Sequence, residues 1–87
     1  MTAINEMTVK EELIKFITEN FVVSKSALED EAASFMENGV LDSTGILELI
    51  GFIEEAFSIE VEDDEMVPEN LDSIQNATAF VLRKQAA

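Results

Sequence analysis

A chain of 87 residues, 47% apolar and with six Phe, can close one hydrophobic core and is too short for two domains. Its 19 acidic residues against five basic give a formal charge of −14, which repels nucleic-acid backbones and anionic lipid and attracts basic protein surfaces. Cysteine and histidine are both absent, so disulfides, thiolate metal sites, cysteine nucleophiles and a Ser–His pair are excluded.

No lysine stands in a Ser-x-x-Lys arrangement, and the carboxylates fall in runs that read as solvated. The chain is therefore not expected to be an enzyme. The opening MTAINEMTVKEE lacks the basic start and apolar run of a signal peptide. No apolar stretch approaches the roughly 20 residues that span a bilayer. The expectation is a single cytoplasmic, monomeric domain over 1–87, bound to neither membrane nor nucleic acid, with residues 1–6 and 85–87 fraying.

The spacing predicts a first helix over 8–21. Thr8 with Glu11 three residues later reads as a capping box, and Val9, Leu13, Phe16 and Ile17 recur at helical spacing. Residues 22–41 show no sustained period. A short helical turn is expected over 26–31, Asn38-Gly39 marks a turn, and Phe35, Met36, Val40 and Leu41 are expected to enter the core. So long a connection in a compact domain is functional or hides a short element.

The strongest helix is predicted over 43–57. At about 100° per residue, Ile46, Leu49, Ile50, Ile53, Ala56 and Phe57 fall on one face, with Thr44, Glu48, Gly51 and Glu55 opposite. Glu54 lies beside the polar face, and Leu47 and Phe52 lie on the flanks. Residues 58–71 read as an extended link into a short helical turn over 63–67 that stops near Pro68. A last helix is expected over 73–84, capped by Asp72 or Ser73, with Ile74, Ala77 and Val81 inward and Arg83 and Lys84 suiting its negative end. The fold class is all-α: three main helices and one short helix in a bundle with a long first loop.

Asp42 and Ser43 stand where that loop becomes the strongest helix. A hydroxyl there is held outward, at the end where unpaired N–H groups favour an anion. Either residue is also an ordinary N-cap, and the dipeptide alone does not separate the two roles. The stretch Val40-Leu41-Asp42-Ser43-Thr44-Gly45-Ile46-Leu47-Glu48-Leu49, continued by Phe52-Ile53-Glu54-Glu55-Ala56-Phe57-Ser58-Ile59-Glu60-Val61, resembles the acyl and peptidyl carrier protein family, whose Asp-Ser-Leu motif is here Asp42-Ser43-Thr44. The resemblance covers about residues 7–84.

The resemblance implies that Ser43 receives 4′-phosphopantetheine from coenzyme A through a phosphopantetheinyl transferase, with Asp42 assisting recognition. It further implies partner docking along the helix after the serine, through Thr44, Leu47, Glu48, Gly51, Glu54 and Glu55, to acyltransferases or synthases with basic docking surfaces. Carriers of fatty acid synthesis have Leu after the serine and a bulky apolar residue seven positions further on, where this chain has Thr44 and Gly51. The segment 67–74 is more similar to free-standing peptidyl and D-alanyl carriers. A specialised carrier loaded by an acyl- or aminoacyl-adenylating ligase is the resulting expectation; the alternative is an arm-less carrier-like module that binds basic proteins. The acidic run 60–65 lacks the EF-hand spacing, and no dedicated metal site is expected.

A charge of −14 on so small a chain makes self-repulsion a measurable cost. At neutral pH the melting temperature should rise when salt is added to a low-salt buffer, and again with millimolar divalent cation. A melting temperature indifferent to both would refute the repulsion.

Overall fold

The computed structural model describes residues 5–21 and 23–86. Of the termini expected to fray, residues 1–4 and Ala87 lie outside this range, as does Val22 at the head of the long loop. Four helices follow in chain order: α1 (Glu6–Asn20), α2 (Ser43–Phe57), the short α3 (Pro68–Leu71) and α4 (Ile74–Ala86). Single 3₁₀ turns at Lys25–Leu28 and Asp63–Glu65 interrupt the two long connections. Among the described residues there is no strand, and the architecture is the all-α bundle of three main helices and one short one.

α1 begins before the expected cap at Thr8. Asn5, in an extended conformation (φ −129°), accepts the Thr8 N–H at 3.0 Å, so Thr8 lies inside the first turn. Asn is at least as strong a cap as Thr, and Glu6 behind it suits the positive end of the helix. α1 and α3 both pack on α4, and α2 lies against α1 and α4. The core is built from Val9, Leu13 and Ile17 of α1, Leu49, Ile50, Ile53 and Phe57 of α2, and Ile74, Ala77, Phe80 and Val81 of α4.

The loops contribute Leu28, Phe35, Leu41, Val61 and Leu71 to the same core. Phe35 and Leu41 are buried as expected and Val40 packs against them, but Met36 is 49% exposed. Its neighbour Phe35 fills the core position, and the Met36 N–H is tied to Asp72 Oδ1 at 3.0 Å, which holds this part of the backbone at the surface. Ala56, expected inward, is also exposed.

Pro68 starts a helix and does not stop one. Val67 is extended, as a residue before proline must be, and Pro68 takes the first helical position, where its missing N–H costs nothing. Ser73 caps α4, its Oγ accepting the Asn76 N–H at 3.0 Å. Asp72, the other expected cap, instead reaches the long loop: its carboxylate accepts from the Ser34 hydroxyl and the Met36 N–H, and its carbonyl accepts the Phe35 N–H at 2.7 Å.

The second connection is fastened to α4 by Lys84, whose ammonium donates to Glu65 Oε1 at 2.9 Å. That contact, with the Glu62 N–H on the same oxygen, holds the Glu65 carboxyl below the ordinary glutamate range. Its stabilisation is present above that range and is lost as pH falls through the lowered value. Glu60 acts in the opposite sense on Glu62, pushing that carboxyl up.

One defect remains in the core. The Thr78 hydroxyl is buried on α4 and has no hydrogen-bond partner. A buried unpaired hydroxyl costs about 1–3 kcal/mol, and valine has nearly the same shape without it. Thr78→Val should therefore stabilise the protein by about 1 kcal/mol, read as a higher urea midpoint at unchanged slope. A lower midpoint would mean that the hydroxyl has a partner after all.

Candidate functional site

The N-terminus of α2 is set by Asp42. This residue is extended (φ −97°, ψ −173°) and its Oδ1 accepts the Gly45 N–H at 2.8 Å. Asp42 is thus the cap, and Ser43 is the first helical residue, exposed to solvent. Among the described residues no hydrogen bond engages the Ser43 hydroxyl. Helix geometry leaves the N–H groups of Ser43 and Thr44 without an intrahelical acceptor, so the end of a 15-residue helix points two free donors outward beside the hydroxyl. This is a fit for a phosphodiester on that oxygen: the hydroxyl is accessible, and the adjacent donors and dipole favour its charge.

Gly45 lies at a close approach in the same turn. It is buried, and a Cβ there would come within 3.2 Å of Leu41 Cδ2 and 3.3 Å of Phe21 Cε1. The loop from Leu41 therefore crosses close over the first turn of α2, and a larger residue would require the Leu41 or Phe21 side chain to give by a few tenths of an ångström. Only the three-dimensional contact marks Gly45 as part of the site.

Ser43 stands on the rim of a groove of about 310 Å³, lined also by Ile46, Leu47, Met36, Met66, Pro68 and Leu71. The lining is mostly apolar, with Asp72 as its charged member. Only Ser43, Ile46 and Leu47 come from α2; the rest belong to the first loop and the segment 66–72, which periodicity could not bring together. Met36, expected in the core, lines this groove, and the apolar run Met66-Val67-Pro68 was the available signal for it.

The remaining candidates divide. Leu47 is 62% exposed and shares the Ser43 groove. Thr44 and Gly51 are exposed, and nothing lies within 4 Å of where a Gly51 Cβ would stand. Glu48 and Glu55 are exposed and border a different depression, together with Phe16 and Phe52. Glu54 is half-buried and accepts the Val61 N–H at 2.9 Å, fastening the chain after α2. Among the described residues no cluster of acidic side chains is placed to hold a metal ion, and no helix is long and apolar enough to cross a membrane.

No family model matches the chain. Among curated proteins it is similar to an acyl carrier protein of Nitratidesulfovibrio vulgaris (strain DSM 19637 / Miyazaki F), 37% identical over 79 residues, or 91% of this chain and the whole of that protein. It is also similar to an acyl carrier protein of Guillardia theta, 36% identical over 95% of this chain and 99% of that one. A third, from Nitratidesulfovibrio vulgaris (strain DP4), is 34% identical over 91% of this chain and the whole of that protein. Identity at this level across nearly the full length shows that the chain belongs to the acyl carrier protein family: it is a carrier and not an enzyme, with a covalently attached 4′-phosphopantetheine as its cofactor.

Proposed function

We propose that Ser43 is the attachment residue and that the chain presents acyl or aminoacyl groups to partner enzymes in a specialised pathway. The observation that carries the assignment is the division of labour at the head of α2: Asp42 closes the helix, and the Ser43 hydroxyl is left exposed and unengaged. The 4′-phosphopantetheine group supplies a terminal thiol that holds the cargo as a thioester. Ser43 anchors that group at a fixed point of a rigid helix. The free N–H groups of Ser43 and Thr44 favour its phosphate charge, and the activation that a chain without histidine lacks comes from the transferase.

Leu47, on the groove that Ser43 borders, offers an apolar contact, and Glu48 and Glu55 offer exposed charge to basic partners. Glu54 contributes less, since its carboxylate already holds the Val61 N–H. Thr44 and Gly51 remove two apolar contacts from the outer face of α2, and this supports partners outside housekeeping fatty acid synthesis, with loading by an adenylating ligase. A cytoplasmic monomer is consistent with a charge of −14, which opposes self-association.

Incubation with coenzyme A and a broad-specificity phosphopantetheinyl transferase should add the mass of one arm to the intact protein. Ser43→Ala should abolish the gain, and a gain that survives this substitution overturns the assignment.

Asp42 has two roles to separate. Asp42→Ala should lose about 1 kcal/mol of stability with the cap, whereas Asp42→Asn keeps an acceptor oxygen and should stay within a few tenths of wild type. Both variants should be modified more slowly. Wild-type rates of modification for Asp42→Asn would remove the role of its charge in transferase recognition.

A further inference from the structure

The chain contains no cysteine, histidine, tryptophan or tyrosine, so its four methionines are the side chains that a mild two-electron oxidant attacks first. Met1 lies outside the described residues; the other three are all at the surface, Met7 69% exposed, Met36 49% and Met66 38%. Two of them share one place. Met36 comes from the first loop and Met66 from the second connection, and both line the groove of about 310 Å³ beside Ser43. Met7 lies elsewhere, against a separate depression with Lys10, Ile14 and Glu31.

Both groove methionines stand on backbone that their side chains do not hold. The Met36 N–H donates to Asp72 Oδ1 at 3.0 Å, and its carbonyl accepts the Gly39 N–H at 3.3 Å. Met66 closes the 3₁₀ turn at Asp63–Glu65, its N–H donating to the Asp63 carbonyl at 3.3 Å. Neither side chain belongs to the core, so a change in their polarity alters the groove wall and leaves the packing of the bundle in place. That wall is the sensitive part. Apart from Ser43 and Asp72, every residue lining it is apolar. A sulfoxide there presents a strong dipole and a bare acceptor to whatever covers the groove.

We propose that Met36 and Met66 form a paired, reversible oxidation site that switches the Ser43 groove from apolar to polar. The oxidant class is a hydroperoxide. With hydrogen peroxide, a sulfur lone pair attacks one oxygen, the O–O bond breaks, and the other oxygen takes the remaining proton and leaves as water. Sulfur loses two electrons and the peroxide gains them. The return takes two thiols, which become a disulfide as the sulfoxide oxygen departs as water; methionine sulfoxide reductases carry this out, one enzyme for each sulfoxide epimer. An apolar surface laid over a sulfoxide strands its oxygen away from water, so partners that press on the groove beside Leu47 lose affinity. This consequence for partners rests on the contact proposed above; the oxidation itself does not.

The test exposes the full-length chain to hydrogen peroxide at neutral pH and follows oxygen addition by intact mass and peptide mapping. Met36 and Met66 should each take up one oxygen, at rates within about tenfold of Met7. The helical circular dichroism should be unchanged, and the oxidised chain should elute earlier from a hydrophobic-interaction column. Met36→Leu/Met66→Leu keeps the groove's volume and apolar character, and peroxide should move its elution by only a small part of that shift. Both reductases together, with a dithiol, should restore the wild-type elution. Oxidation should also slow phosphopantetheinylation several-fold in wild type and not in the double variant.

Protection of either groove methionine from peroxide, or an equal shift of elution in the double variant, would overturn the proposal. Loss of the helical signal on oxidation would mark damage in place of a switch and refute it as well. A transferase rate that oxidation leaves unchanged would overturn the effect on partners. A chain that is modified in neither state would count against Ser43 as the attachment residue, with the elution and mapping still deciding the oxidation site.

Discussion

The long first loop has no regular structure to hold it, and its position depends on Asp72. This residue sits between α3 and α4; its carboxylate takes the Ser34 hydroxyl and the Met36 N–H, and its carbonyl takes the Phe35 N–H. The Gln75 N–H, donating to the Glu31 carbonyl at 2.8 Å, adds a second tie. With the backbone around residue 35 fixed, the Phe35 side chain enters the core and its carbonyl receives the Val40 and Leu41 N–H groups. The turn between them closes through Gly39, whose φ of +71° is costly for any residue with a Cβ. Leu41 is then buried against Gly45, and the next residue is the cap of α2. A residue 29 positions away in sequence, Asp72, thus settles where Ser43 stands.

The scarcity of cations shapes the surface as much as the excess of acids. Lys10 and Lys84 are used to hold Glu31 and Glu65, which fastens each long connection to a helix. Most other carboxylates are left to solvent, so the outer surface is negative almost throughout and sign alone cannot distinguish one partner from another. Discrimination must come from shape and apolar content. The two flanks of α2 differ in both: a groove rich in Met, Leu and Pro beside Ser43, and a stacked phenyl floor ringed by glutamates beside α1.

α2 was legible to the residue because its apolar period is strong and a cap precedes it, and Ser43 was singled out because a motif surrounds it. The cap itself was not. Asp and Ser are about equally good N-caps, and the choice between Asp42 and Ser43 turns on the path of the loop before them. Met36 was misplaced because burial in an irregular segment follows tertiary hydrogen bonds and has no period. Ala56 was misplaced because a helical wheel supplies an angle and not a neighbour; at that end of the stripe nothing covers it. Gly45 and the lining of both grooves escaped notice for one reason: each depends on residues from separate segments meeting.

The capping arrangement at the head of α2 bears on how the protein can be used repeatedly. The fold draws its helix start from Asp42, and no hydrogen bond of the scaffold runs through the Ser43 oxygen. Chemistry on that oxygen, in either direction, removes nothing the bundle relies on. On the proposed attachment at Ser43, loading and stripping would break no hydrogen bond of the scaffold, and the same bundle would serve before and after each cycle.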